Sequence, residues 1–231
     1  MRIYIIRHGD PDYALDSLTP RGEKEALALA PYLEHERIDV IYASPLGRAQ
    51  RTAEYTANRL GVPIHTEEWT RELSARCLDP DDLAAWNAHA HDVRNPVYLA
   101  NPARLEAAST IPQPWLNDTA ATIRRDSDAF LARLGYERNG SSYRITAPNQ
   151  KRIAVFCHGG FGPAWVGILL DIPLPLMWAG FFMHTTSVTC ILLEERVEGL
   201  AAPRCLFYGA IPHLYKENIR PSQAGMIGNY E

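Results

Sequence analysis

The chain has 231 residues but only four cysteines, and no two of them form a Cys-x-x-Cys pair. A disulfide scaffold is denser than this, so Cys77, Cys157, Cys190 and Cys205 read as free thiols. Cys157 has no arginine six residues on, where Pro163 stands, which removes the cysteine-phosphatase loop. There is no Gly-Lys pair, so a Walker phosphate loop is absent, and there is no His-Glu-x-x-His zinc motif. His89 and His91 lack companion ligands, so no metal and no organic cofactor is expected. Excess charge is small: a formal net charge of −4 gives no general affinity for nucleic acid or for an anionic membrane. Long hydrophobic runs are missing too. The stretch with least charge, 161–183, is interrupted by Asp171 and broken by Pro163, Pro173 and Pro175. It reads as a buried helix to Leu170 followed by an apolar loop, not as a membrane span. The opening Met-Arg-Ile-Tyr-Ile-Ile is charged too early for a signal peptide, so a cytoplasmic protein is expected.

Apolar residues, at 46%, suffice for one sizeable core, and a single domain over 1–231 is the natural division. Ile3-Tyr4-Ile5-Ile6 is short and apolar on both faces, which predicts a strand buried inside a sheet. It delivers Arg7 and His8 to the strand's carboxyl edge, and Gly9 allows a turn. Ile153 to Phe156 repeats the layout, leading into Cys157-His158-Gly159-Gly160 and a helix near Phe161. Ile38 to Ala43 repeats it again, with Ser44 read as the cap of a helix that holds Arg48 in its first turn. If these strands are neighbours, two guanidiniums and two imidazoles meet at the edge where open α/β sheets bind ligands.

Other elements follow from local chemistry. Thr19 and Pro20 start a helix ending near Glu36, and Gly61 stops the helix of Arg48. Val62 to Thr66 suits a short strand, and Asp81 to Ala90 a short helix. Asn117 or Asp118 caps a helix through Leu134. Asn139-Gly140 joins a hairpin. Thr186 to Leu193 and Cys205 to Ala210 are strand-like, and the tail from Ile211 is expected to wrap the surface.

Several pieces, in order, resemble the histidine phosphatase superfamily, the phosphoglycerate-mutase-like proteins: Arg7-His8-Gly9, Leu18 to Gly22, Ala43 to Ala53, Arg71-Glu72-Leu73, and His158-Gly159-Gly160. The resemblance covers the first 75 or so residues and the turn around His158. It implies an α/β three-layer sandwich with a mostly parallel central sheet and helices on both faces. It also implies His8 as the nucleophile forming a phosphohistidine, Glu72 as proton donor, and Arg7, Arg48 and His158 as phosphoryl binders. Amides at Gly159 and Gly160, opening a helix, would add an anion-binding terminus. Asp10 is a rival acid, read rather as a hydrogen-bonding loop residue.

Residues 75–117 match no pattern. Recurrent prolines with Trp86, Tyr98 and Trp115 suggest a lid-like insertion over the carboxyl edge of the sheet. Mutases of the family continue after the acid with a glycine and a Trp-Glu-Gly element, whereas Glu72-Leu73 is followed here by Ser74-Ala75-Arg76-Cys77. Water as the acceptor is therefore expected: a metal-independent phosphatase acting on a small phosphate monoester. The alternatives are a mutase-type phosphotransferase and a non-catalytic phospho-ligand-binding domain. Arg76, Arg94 and Arg104 with Trp86 and Trp115 hint at a substrate with an aromatic or apolar part. His184 is a candidate for the pocket rim, His213 a structural histidine, and the apolar run from Pro173 to Met183 would suit a homodimer interface.

Overall fold

The computed structural model describes residues 1–74, 77, 83–94 and 110–226. The centre is an eight-stranded sheet in the order β5-β4-β8-β1-β9-β10-β7-β6. Its strands are β1 (Arg2–Arg7), β4 (Val40–Ala43), β5 (Ile64–Thr66), β6 (Tyr136–Asn139), β7 (Ser142–Ile145), β8 (Arg152–Cys157), β9 (Val188–Val197) and β10 (Leu200–Ala210). β5, β4, β8 and β1 pair in parallel, and only β9 and β7 run against the common direction. A small ribbon of β2 (Pro11–Asp12) and β3 (Ser17–Leu18) follows β1.

Side chains of a strand alternate between faces, and two cores result. Ile3 and Ile5 of β1, with Ile153 and Val155 of β8, pack against α4 (Gln113–Arg133), α5 (Phe161–Leu170) and α6 (Leu174–Gly180). Tyr4, Ile6, Ala154 and Phe156 point the other way, onto Leu29 and Leu33 of α1 (Pro20–His35) and Ala53 and Ala57 of α2 (Gly47–Leu60). Each fully buried branched or aromatic side chain adds ~1.5–3 kcal/mol. Helices thus cover both faces, giving three layers of an α/β sandwich. α3 (Ala90–Val93) and α7 (Pro212–Lys216) are short.

Helix ends follow the residues at them. Thr19 accepts from Gly22 N as the N-cap of α1. Gly61, at φ 65°, ends α2 in the left-handed conformation that glycine adopts without strain. Four expectations are corrected. α2 begins at Gly47 with Leu46 at its N-cap position, because the Ser44 hydroxyl is directed to His158 instead. α4 begins at Gln113, four residues before Asn117, since Pro114 is tolerated in a helix's first turn. Pro175 opens α6 in the same way, where an apolar loop was expected. Within 81–90 the described residues form a 3-10 turn, Ala85–Asn87, and the start of α3 rather than one helix.

Most of the expected insertion, including Arg76, Tyr98 and Arg104, lies outside the described residues. All four cysteines are free, with Cys77, Cys157 and Cys190 buried. No helix among the described residues is long and apolar enough to cross a membrane.

Candidate active site

The site is set by strand register. β8 lies between β4 and β1, with Ala43 opposite Phe156 and Arg7 opposite Cys157. The next residues are held at the same level: His8 N donates to Cys157 O at 3.0 Å and Ser44 N to Phe156 O at 2.9 Å. Three chain reversals therefore place Arg7, His8, Ser44 and His158 side by side. Gly9 does not need a positive φ. It is small because a Cβ would come within 2.8 Å of the Gly22 carbonyl oxygen, where the reversal crosses α1.

His8 is buried, and its Nδ1 lies 2.7 Å from the carbonyl oxygen of Gly9. A carbonyl can only accept, so Nδ1 bears the proton and Nε2 keeps its lone pair. The ring centroid of His158 is 5.2 Å away. His158 Nε2 sits 2.8 Å from Ser44 Oγ. The Leu46 amide donates to that same oxygen. His158 Nδ1 is buried and has no partner. Burial, and then the charge of Arg7, hold His8 well below the ordinary histidine range. Burial, His8 and Arg48 do the same to His158. Both rings are neutral at pH 7.

Arg7 gives Nη1 to Met183 O at 2.7 Å and Nη2 to Ala224 O at 2.9 Å, while its buried Nε has no partner. The absence of a Cβ at Gly159 lets this guanidinium lie against the backbone; one would stand 3.1 Å from Nε. Arg48 is held by Asp16, whose two carboxylate oxygens take Arg48 Nη1 at 2.5 Å and Gly47 N at 2.7 Å. Its face lies 5.4 Å from the Tyr13 ring.

Glu72 accepts from three amides: Gly160 N at 3.0 Å, Phe161 N at 2.9 Å and Leu73 N at 3.0 Å. The N-terminus of α5 is thus occupied by this carboxylate, which corrects the expectation that the Gly160 amide faces an anion. Burial raises Glu72 above the usual carboxylate range; the three amides and Arg7 oppose that shift.

A cavity of about 530 Å³ opens at this edge, lined by Arg7, Arg48, Glu72 and Gly159 together with Trp86, Trp178, Phe182 and other residues. The tail, expected to wrap the surface, also brings Gly225 and Met226 into the cavity wall, anchored by Ser222 on Asp10 and by Arg220 O on Arg21. Asp10 also accepts from Thr19 Oγ1 at 2.6 Å, as befits a loop-bracing residue. His184 packs edge-on to Phe182 at 5.0 Å and does not line the cavity. His213 is buried, bonded to Thr186 Oγ1 at 3.0 Å. Among the described residues, no group of three or more His, Cys, Asp or Glu could hold a metal ion.

Sequence reading missed Asp16, Ser44 as a histidine partner, Ala224, and the cavity's tail wall. Ser44-Pro45 after a strand was the one local signal; the others are long-range contacts.

Fold and geometry together define an α/β protein with an anion-sized pocket of arginines and neutral histidines at the carboxyl edge of its sheet. The sequence profile of the histidine phosphatase superfamily (branch 1) matches residues 3–202, and the chain belongs to that superfamily. It is 37% identical over 204 residues to "Putative phosphoserine phosphatase 2" of Hydrogenobacter thermophilus, covering 84% of this chain and 90% of that protein. Its fold is similar to that of a mutant phosphoserine phosphatase from Entamoeba histolytica in complex with phosphoserine (TM-score 0.62, 19% identity, 92% of this chain and 98% of that one). It is also similar to a mycobacterial glucosyl-3-phosphoglycerate phosphatase with bound VO3 (TM-score 0.60, 23% identity, 90% and 98%).

Proposed function

We propose that this chain is a phosphatase that hydrolyses a small-molecule phosphate monoester through a phosphohistidine on His8. The observation that carries the reading is the fixed tautomer of His8. Its Nδ1 proton is committed to Gly9 O, so Nε2 is a neutral nucleophile, with the ring of His158 5.2 Å away between centroids.

Arg7 Nε and Arg48 Nε are buried donors without partners, and His158 Nδ1 is a buried ring nitrogen without one. They suit the equatorial oxygens of a phosphoryl group, whose developing charge is the main barrier to stabilise. His8 Nε2 attacks phosphorus and the P–O bond to the alcohol breaks. Glu72, whose pKa burial raises, gives its proton to the leaving oxygen. Water then attacks the phosphoryl group, Glu72 takes its proton, and the P–N bond breaks to return neutral His8 and inorganic phosphate. No step needs a metal. Similarity to proteins named as phosphoserine and glucosyl-3-phosphoglycerate phosphatases supports ester hydrolysis.

The test is phosphate release from a panel of metabolite phosphates and p-nitrophenyl phosphate with excess chelator, followed by acid-labile labelling of the protein from a 32P ester. Chelator-resistant turnover, with label lost in His8→Ala, is the expected result. Turnover that survives His8→Ala would overturn it.

A further inference from the structure

The cavity has two unlike halves. Its charged residues among the described ones are Arg7, Arg48 and Glu72, all on the phosphoryl side. The other described lining residues carry no charge: Trp86, Trp178, Phe181, Phe182, Met183 and Met226 are the large apolar side chains, with Tyr13 and Asn87 as the polar ones. Arg94, on the adjoining α3, gives Nη2 to the Ala179 carbonyl at 2.7 Å and does not line the cavity.

The two halves meet at a definable point. A Cβ built on Gly160 would lie 2.8 Å from Glu72 Oε1 and 2.6 Å from Cδ2 of the Trp86 ring. The indole and the carboxyl group of Glu72 therefore both border Gly160. A leaving alcohol that takes its proton from Glu72 departs on the side of the cavity that Trp86 lines. The other rings of the cavity are held as well. Phe182 lies 5.7 Å from the Arg7 guanidinium, and Trp178 is tethered by Nε1 to Gly160 O at 3.0 Å and stacked on Trp115. Rings held this way lose little freedom when a ligand packs on them.

We infer that the substrate is a phosphate monoester of an apolar, uncharged alcohol, aromatic or long-chain, whose body packs between Trp86 and the Phe182–Trp178 wall. This rests on the phosphatase reading above and names its substrate class. A substrate carboxylate or ammonium placed there would lose its hydration without a partner on these walls, a costly exchange. An apolar body gains from the same walls.

The test compares primary alkyl esters, so that leaving-group acidity is shared: 3-phenylpropyl phosphate, ethyl phosphate, glycerol 3-phosphate and O-phosphoserine. The expected kcat/KM for 3-phenylpropyl phosphate exceeds each of the others by on the order of 30-fold. Phosphoserine or glycerol 3-phosphate equalling it would overturn the inference while leaving the phosphatase reading intact. Calorimetric Kd values for 3-phenylpropylphosphonate against ethylphosphonate, neither of which can be hydrolysed, test the wall independently of catalysis. Tight binding of the phenyl compound without turnover of any ester would uphold the wall and sink the phosphatase reading; equal Kd values would overturn the wall. Trp86→Ala and Phe182→Ala should each shrink the phenyl-over-ethyl Kd ratio about tenfold, and an unchanged ratio in both overturns the placement.

Discussion

Nδ1 of His8 is 2.7 Å from the carbonyl oxygen of the residue that follows it, Gly9. A nucleophile whose tautomer is fixed by its own neighbour needs no separate carboxylate to orient it. The buried ring stays neutral, and an unpaired lone pair is available without a deprotonation step. His8→Ala should lower kcat by about 10⁴-fold or more, measured as phosphate release, with the melting temperature little changed.

The pH dependence follows from two opposite shifts. His8 must be neutral, which holds above its lowered pKa. Glu72 must be protonated, which is lost as pH rises through its raised pKa. The rate kcat/KM should therefore decline as pH rises through the raised pKa of Glu72 and again as pH falls through the lowered pKa of His8. Glu72→Gln should lower kcat about 10²- to 10³-fold and abolish the alkaline limb. A limb retained in that variant would mean that another group donates the proton.

Ser44 is buried and fixes the ring of His158 by a 2.8 Å hydrogen bond. Ser44→Ala leaves His158 Nε2 without a partner, at a cost of about 1–3 kcal/mol in stability. Because the tautomer is then unconstrained, KM for a phosphate ester should rise roughly tenfold. Urea denaturation and steady-state kinetics on the same preparation separate the two effects.

Gly47 opens α2, where alanine would ordinarily favour the helix by about 1 kcal/mol. Here an added Cβ would overlap the carbonyl oxygen of Asp16, the residue that anchors Arg48. Gly47→Ala should thus destabilise the protein and raise the inhibition constant of inorganic phosphate. A rise in melting temperature would show that the loop from Tyr13 to Asp16 yields at no cost.

His213 is held neutral, its pKa pushed down to about 4 by burial. Its unfolded value is near the ordinary 6.5, so the unfolded chain binds the extra proton between those limits. Stability is therefore complete above pH 6.5 and is lost as pH falls toward 4, by about 2–3 kcal/mol from this residue. His213→Gln, which can keep a bond to Thr186, should flatten that part of the profile; equal slopes in wild type and variant would assign it elsewhere.

Local pattern made the strands, their glycine-bearing ends and the first turn of α1 legible. Ile3 to Ile6 and Ile153 to Phe156 announce themselves because both faces are buried. Features built from distant residues were not legible. Ser44 and His158 are separated by 114 positions, and Arg7 and Ala224 by 217. Ser44 was misread because the same residue is a good helix cap, and a tertiary partner claimed it first. Pro114 and Pro175 misled in a different way: each reads as a breaker until it is seen to open a helix.

β1 is made before either of its two hydrogen-bonded neighbours, β8 and β9, which are specified some 150 to 190 residues later. On a ribosome emitting a few to twenty residues per second, both edges of β1 stay open for many seconds, with Ile3, Ile5 and Ile6 uncovered. Closing such long loops is slow, and unpaired apolar edges invite association with other chains. Nascent fragments that stop before β8 should therefore need chaperone cover, and folding and activity should arrive together, late, once β9 has emerged.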